Sequence, residues 1–151
     1  MFIVTEKNIL VKQNIRIEMK INLLDYIHTI TEMGRLVEQP DYWVGIESRG
    51  FIFASALAAT FGGGLRLIRK QGKLPPHFLV KESYDLEYGS DTIEMKQGNG
   101  SVIIVDDVIA TGGTMNASEN IVSNAGYDLL DKLVLIDIGI AENNVKSLIK
   151  Y

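Results

Sequence analysis

The chain has 151 residues, enough for one domain with a sizeable core and too few for two ordinary ones. A hydrophobic fraction of 46% and a charged fraction of 23% fit a globular chain and exclude a disordered or fibrous one. The formal charge of −4 speaks against nucleic acid or an anionic membrane as the main partner, and the absence of cysteine excludes disulfides, thiolate metal sites and cysteine nucleophiles.

Residues 1–13, MFIVTEKNILVKQ, lack the basic region and long apolar core of a secretory signal, and no apolar run has the length of a membrane span. A cytoplasmic chain is the expectation. Residues 2–4 and 9–11 are short apolar pieces, read as strands or an edge hairpin. Residues 15–19 alternate apolar and charged side chains, which suits a half-buried strand. Ile21, Leu24, Ile27, Ile30, Met33 and Leu36/Val37 then recur at helical spacing, predicting a helix over about 22–38 with that stripe against the core. His28 reads as a residue of its surface.

Pro40 and Asp41 mark a turn. Residues 42–46 predict a strand running into Glu47, Ser48, Arg49 and Gly50, and a small-residue helix comes next over 51–61. Arg49 offers a rigid cationic fork suited to phosphate oxygens. Gly62, Gly63 and Gly64 predict a left-handed cap to that helix. Residues 65–68 read as the next strand, leading into Arg69, Lys70, Gln71, Gly72, Lys73, Leu74 and Pro75. Residues 51–81 contain no acid, while Arg66, Arg69, Lys70, Lys73 and Lys81 are basic. A solvated basic loop explains this run blandly; an electrostatic funnel for a polyanion explains it more sharply. A strand beginning at 78–80 and its return at 92–95 predict a long hairpin whose polar, aromatic tip suits a lid.

Residues 101–114, SVIIVDDVIATGGT, carry the clearest chemistry. The strand 102–105 delivers the next residues to its carboxyl end, where open α/β sheets bind ligands. Asp106 and Asp107 can accept hydrogen bonds from vicinal hydroxyls. Ala110, Thr111, Gly112, Gly113 and Thr114 can wrap an anion in N–H groups and hydroxyls, with a helix N-terminus behind them. A phosphorylated sugar matches that order. A P-loop is excluded by the missing lysine and a Rossmann fingerprint by the missing GxGxxG. A helix over 115–125 closed by Gly126, a buried strand over 133–138 and a short tail over 141–151, with helix as its expected form, complete the chain. The alternation of strands and helices predicts a mostly parallel sheet covered on both faces.

Residues 101–114 as a whole resemble the phosphoribosyl-diphosphate (PRPP) motif of the type I phosphoribosyltransferases. Residues 44–51, VGIESRGF, resemble the pyrophosphate loop of the adenine phosphoribosyltransferases. Residues 68–75, IRKQGKLP, and 83–89, SYDLEYG, are similar to two more specific signatures of that family, so that the likeness covers about residues 43–138. The resemblance implies an α/β type I phosphoribosyltransferase-like fold, mostly parallel, with helices on both faces and a flexible hairpin lid. One domain would span 1–151, with a reduced N-terminal hood over about 1–19 and the flexible hairpin over about 76–95.

The implied reaction is purine salvage: adenine and PRPP give AMP and pyrophosphate, with Mg2+ held by substrate rather than by a protein cage. Asp106 and Asp107 would hold the ribose hydroxyls, and Ala110, Thr111, Gly112, Gly113 and Thr114 the 5′-phosphate. Ser48, Arg49, Arg69 and Lys73 would meet the pyrophosphate, and Arg49 and Glu87 would be the catalytic residues. Val108 and Tyr88 would contact the base. A homodimer is implied, with neither nucleic acid nor membrane as partner. The family usually begins with a longer segment bearing a Pro-Gly turn and an apolar–Phe-Arg-Asp stretch over the base. Here residues 8–15 stand in its place, with Lys12 or Gln13 near the arginine position. The shortened hood keeps two alternatives open: a phosphoribosyltransferase for hypoxanthine, guanine or xanthine, and a non-catalytic PRPP or nucleotide sensor.

Overall fold

The computed structural model describes residues 22–86, 89–139 and 144–151. The strands expected at 2–4, 9–11 and 15–19 lie outside those residues. The described chain alternates helix and strand. Helix α1 (Leu23–Arg35) leads to β1 (Tyr42–Ile46), α2 (Gly50–Phe61) and β2 (Gly64–Lys70). The hairpin β3 (Leu79–Leu86) and β4 (Gly89–Lys96) comes next, then β5 (Ser101–Ile109), α3 (Gly113–Asn124), β6 (Asp128–Asp137) and β7 (Lys146–Lys150). They form one seven-stranded sheet in the order β3-β4-β2-β1-β5-β6-β7. The pairs within β2-β1-β5-β6-β7 are parallel, and the hairpin joins antiparallel through β4.

The central strand β5 shows why its sequence is continuously apolar. Val102 and Ile104 join a cluster with Val44, Ile121 and Val122, on the face covered by α3. Ile103 and Val105 join the opposite cluster with Trp43, Phe53, Leu57 and Met33, under α1 and α2. A strand buried on both faces has no polar side to show.

Three expectations are corrected. The stripe predicted for α1 is only partly inward: Ile30 and Met33 are buried, but Leu24 and Ile27 are 77% and 54% exposed. Tyr26 packs against the core cluster in their stead, because α1 lies close on α2, with the Phe61 ring filling the space where Gly34 has no side chain. Gly62 has the positive φ of 83 but ψ −174, so the cap of α2 is not the left-handed helical one expected. Its carbonyl accepts the Trp43 indole N–H at 2.9 Å. The tail forms β7, parallel to β6. Five residues sustain a helix poorly, whereas the edge of β6 offers partners to the backbone groups that face it.

Candidate functional site

The chain runs from β1 through α2 to β2 on one side of β1, while β5 pairs on the other side. The carboxyl ends of β1 and β5 therefore flank a topological switch point, where open α/β sheets leave a crevice for ligands. Glu47, Ser48 and Arg49 leave β1 there, with a cis peptide between Glu47 and Ser48. Gly50 then starts α2 hard against β5. A Cβ on Gly50 would stand 2.5 Å from the Val105 carbonyl oxygen and 3.3 Å from Asp106 Oδ1. Only glycine lets this loop approach so closely.

The acid pair does not come after β5 as the sequence suggested; it lies within the strand. Pairing with β6 continues through Asp106↔Val134, Val108↔Ile136 and Ile109↔Asp137. Neighbouring strand residues face opposite sides, yet the two carboxyl groups stay close enough to interact. Asp106 Oδ1 accepts the Asp107 backbone N–H at 2.9 Å. Burial, then the charge of Asp107, pushes the Asp106 carboxyl up to about 8. Asp107 is buried, and its Oδ2 lies 2.6 Å from Arg49 Nε. That approach is off hydrogen-bond alignment, and Oδ2 has no hydrogen-bond partner among the described residues. A buried carboxylate oxygen without a hydrogen-bond partner is suited to a ligand hydroxyl.

Beyond Ile109 comes the small loop. Thr111 is exposed, Gly112 takes φ 83 as the N-cap of α3, and no side chain caps the helix. The first N–H groups of α3, from Gly113 and Thr114 onward, are thus available to an anion. Strand β3 of the hairpin closes over this helix: Thr114 Oγ1 donates to Tyr84 Oη at 3.4 Å, and Asn120 Nδ2 to Glu82 Oε1 at 3.1 Å. Val108 is half-buried against the α1–α2 cluster. Glu87 and Tyr88 lie outside the described residues, between Leu86 and Gly89.

The basic run divides. Arg69 Nε lies 3.3 Å from Glu47 Oε2, beside the crevice, and Lys73 is exposed on the following loop. Lys70 pairs with Asp91 at 3.1 Å. Arg66 belongs to the other end of the sheet, stacked 4.0 Å over the Tyr42 ring and donating to Tyr127 Oη at 2.9 Å. Among the described residues of the run, Arg69 and Lys73 join Arg49 at the site, fewer than the composition of the run suggested.

Two carboxylates were missed in the sequence. Glu47 Oε2 accepts the Lys70 backbone N–H at 2.9 Å and faces Arg69. Burial works against its charge, but the Lys70 and Arg69 donors and the nearby cations hold its carboxyl below the usual range. Glu94, 1% exposed, receives the Lys73 and Leu74 N–H groups at 2.8 and 2.7 Å. The alternation of Ile93 and Met95 around Glu94 marked a strand but gave no hint that an acid inside it would hold a loop from another strand. Among the described residues no group of three His, Cys, Asp or Glu could cage a metal. The donors present suit a cation carried in on substrate oxygens.

Comparison with known proteins agrees with this geometry. The phosphoribosyl transferase domain family matches residues 13–147. An adenine phosphoribosyltransferase of Hydrogenovibrio crunogenus is 46% identical over 119 residues, 75% of this chain and 69% of that one. The chain belongs to the adenine phosphoribosyltransferase family. Among solved structures, the adenine phosphoribosyltransferase of Thermoanaerobacter pseudethanolicus superposes with a TM-score of 0.79 at 31% identity, covering 86% of this chain and 83% of that one. The Saccharomyces cerevisiae protein, solved with an imino-altritol bisphosphate and adenine, gives 0.64 at 33% identity, covering 85% and 69%. Membership in the adenine phosphoribosyltransferase family makes the chain an enzyme of purine salvage, of the pentosyl-transfer class.

Proposed function

We propose that the crevice between the carboxyl ends of β1 and β5 binds PRPP and passes its 5-phosphoribosyl group to adenine, releasing pyrophosphate and forming AMP. The observation that carries this reading is the approach enforced by Gly50. It brings Arg49, a cation suited to phosphate, within 2.6 Å of the buried oxygen of Asp107, an acceptor suited to a ribose hydroxyl. The uncapped N-terminus of α3, next along the chain from the same strand, takes the 5′-phosphate.

In this reading Asp106 and Asp107 hold the ribose diol, and residues 110–114 hold the 5′-phosphate. Ser48, Arg49, Arg69 and Lys73 receive the pyrophosphate. The bond from the anomeric carbon to the pyrophosphate oxygen breaks, and its electron pair leaves with the pyrophosphate. A ring nitrogen of adenine bonds to that carbon and loses its proton, with Glu87 as the acid/base. Positive charge develops on the ribose, as in glycoside cleavage. Negative charge grows on the leaving group, where Arg49 and Arg69 stand as fixed donors. Mg2+ on the PRPP oxygens supplies further neutralisation there when bound. Val108 and Tyr88 contact the base, and the hairpin excludes water from the reacting carbon. A homodimer, as the family resemblance implies, and a cytoplasmic location complete the proposal.

The test is AMP formation from PRPP and Mg2+ with adenine, hypoxanthine, guanine and xanthine in turn. AMP from adenine, with no product from the 6-oxopurines, is the expected result. Product from a 6-oxopurine moves the base specificity, and PRPP binding without product from any base moves the chain to a sensor.

A further inference from the structure

Glu94 stands out among the buried charges because nothing in the proposed chemistry uses it. It sits in β4, opposite Arg69 of β2 and Lys81 of β3. Its side chain is 1% exposed, yet burial fails to neutralise it. The N–H groups of Leu74, Gly72 and Lys73 and the charge of Lys81 hold its carboxyl below the usual range. Consecutive backbone N–H groups converging on a carboxylate form a nest of the kind that binds anions, here filled by the chain itself.

That nest is the loop of residues 71–75, between Arg69 and the hairpin. Its shape reaches the pyrophosphate side of the site by two routes. Lys73 is on the loop. The Lys73 carbonyl also accepts Arg69 Nη1 at 3.3 Å, while the same guanidinium meets Glu47 through Nε at 3.3 Å. Glu94 therefore fixes the loop backbone, the loop fixes one edge of Arg69, and Glu47 fixes another. Released from Glu94, the Lys73 and Leu74 N–H groups would lose their acceptor and the loop would change shape.

We infer that Glu94 is a positioning residue for the reaction, an internal anion that moulds loop 71–75 so that Arg69 and Lys73 face the pyrophosphate group of PRPP. The inference rests on the reading of the site as a PRPP site. It predicts a defect in PRPP use rather than in adenine use, and dependence on an acceptor oxygen at this place.

The experiment uses the full chain with Glu94→Leu and Glu94→Gln. Amide hydrogen exchange of residues 72–74 is measured together with the KM for PRPP and for adenine. Glu94→Leu is expected to speed exchange at those amides and to raise the PRPP KM about tenfold, the size expected for lost charge-assisted hydrogen bonds. The adenine KM stays within about threefold in the same variant, and Glu94→Gln, which keeps an acceptor, recovers most of the loss. A folded Glu94→Leu protein with wild-type exchange at 72–74, or with faster exchange and an unchanged PRPP KM, overturns the inference. If Glu94→Leu does not fold, Glu94→Asp carries the test, since it withdraws the carboxylate by one methylene; an unchanged PRPP KM then overturns it. Failure of the site reading looks different, because the wild-type protein itself would neither bind PRPP nor make AMP.

Discussion

Two adjacent carboxylates have different properties because each residue of a strand faces a different environment. Asp107 points to Arg49 and has an oxygen without a hydrogen-bond partner, whereas Asp106 is crowded by burial and by its neighbour's charge. The folded Asp106 carboxyl titrates near 8, far above its ordinary value of 3.8. Between those values the folded chain holds a proton that the unfolded chain has released. The contribution to stability is therefore full below about pH 4, declines with rising pH and is lost once pH passes the folded value. Asp106→Asn should flatten this decline, so that its melting temperature relative to wild type improves between pH 6 and pH 9, measured by calorimetry. Asp107→Asn should act on binding and raise the PRPP KM about tenfold or more, the scale of a charge-assisted hydrogen bond. Glu87→Ala should mainly lower kcat. Wild-type kinetics in both variants would remove these residues from the site.

At the scale of elements, the site depends on how tightly α2 is set against β5. Gly50→Ala places a methyl group against the Val105 carbonyl, at 2.5 Å before any relaxation. The loop must back away, which costs about 1–3 kcal/mol of stability and moves Arg49 from Asp107. Urea denaturation and the PRPP KM should both report the change. A variant with wild-type values in both would show that the approach is not needed. The hairpin is more firmly seated than a bare lid would be. Its strand β3 packs on α3 and its tyrosine Tyr84 touches Thr114, so β3 and the phosphate loop form one surface.

At the scale of the whole molecule, a chain with a net charge of −4 keeps Arg49, Arg69 and Lys73 at one end of its sheet. Such a focus attracts a polyanion despite the average charge. Arg66 is part of the same basic run in sequence but belongs to the other end, over Tyr42 and bonded to Tyr127. Arg66→Ala should leave the PRPP KM within about twofold while costing about 1 kcal/mol of stability through the lost stacking and packing. Lys73→Ala should raise that KM. A comparable rise in Arg66→Ala would restore Arg66 to the site.

The motifs were legible in the sequence because their chemistry is local. The strand, acid pair and Gly/Thr loop over residues 101–114 point to a ligand, and the alternation of helix and strand outside the hairpin implies a mostly parallel sheet. The boundaries were less legible. Pairing with β6 carries β5 past its acids to Ile109, and an open edge draws residues 146–150 into a strand. The positioning acids were illegible. Glu47 and Glu94 look like ordinary charges in the sequence, and only the sheet order brings them to Arg69 and to loop 71–75. Which cations share the site was likewise decided by tertiary structure, because adjacency along a strand says nothing of which end of a sheet, or which buried partner, a long side chain will reach.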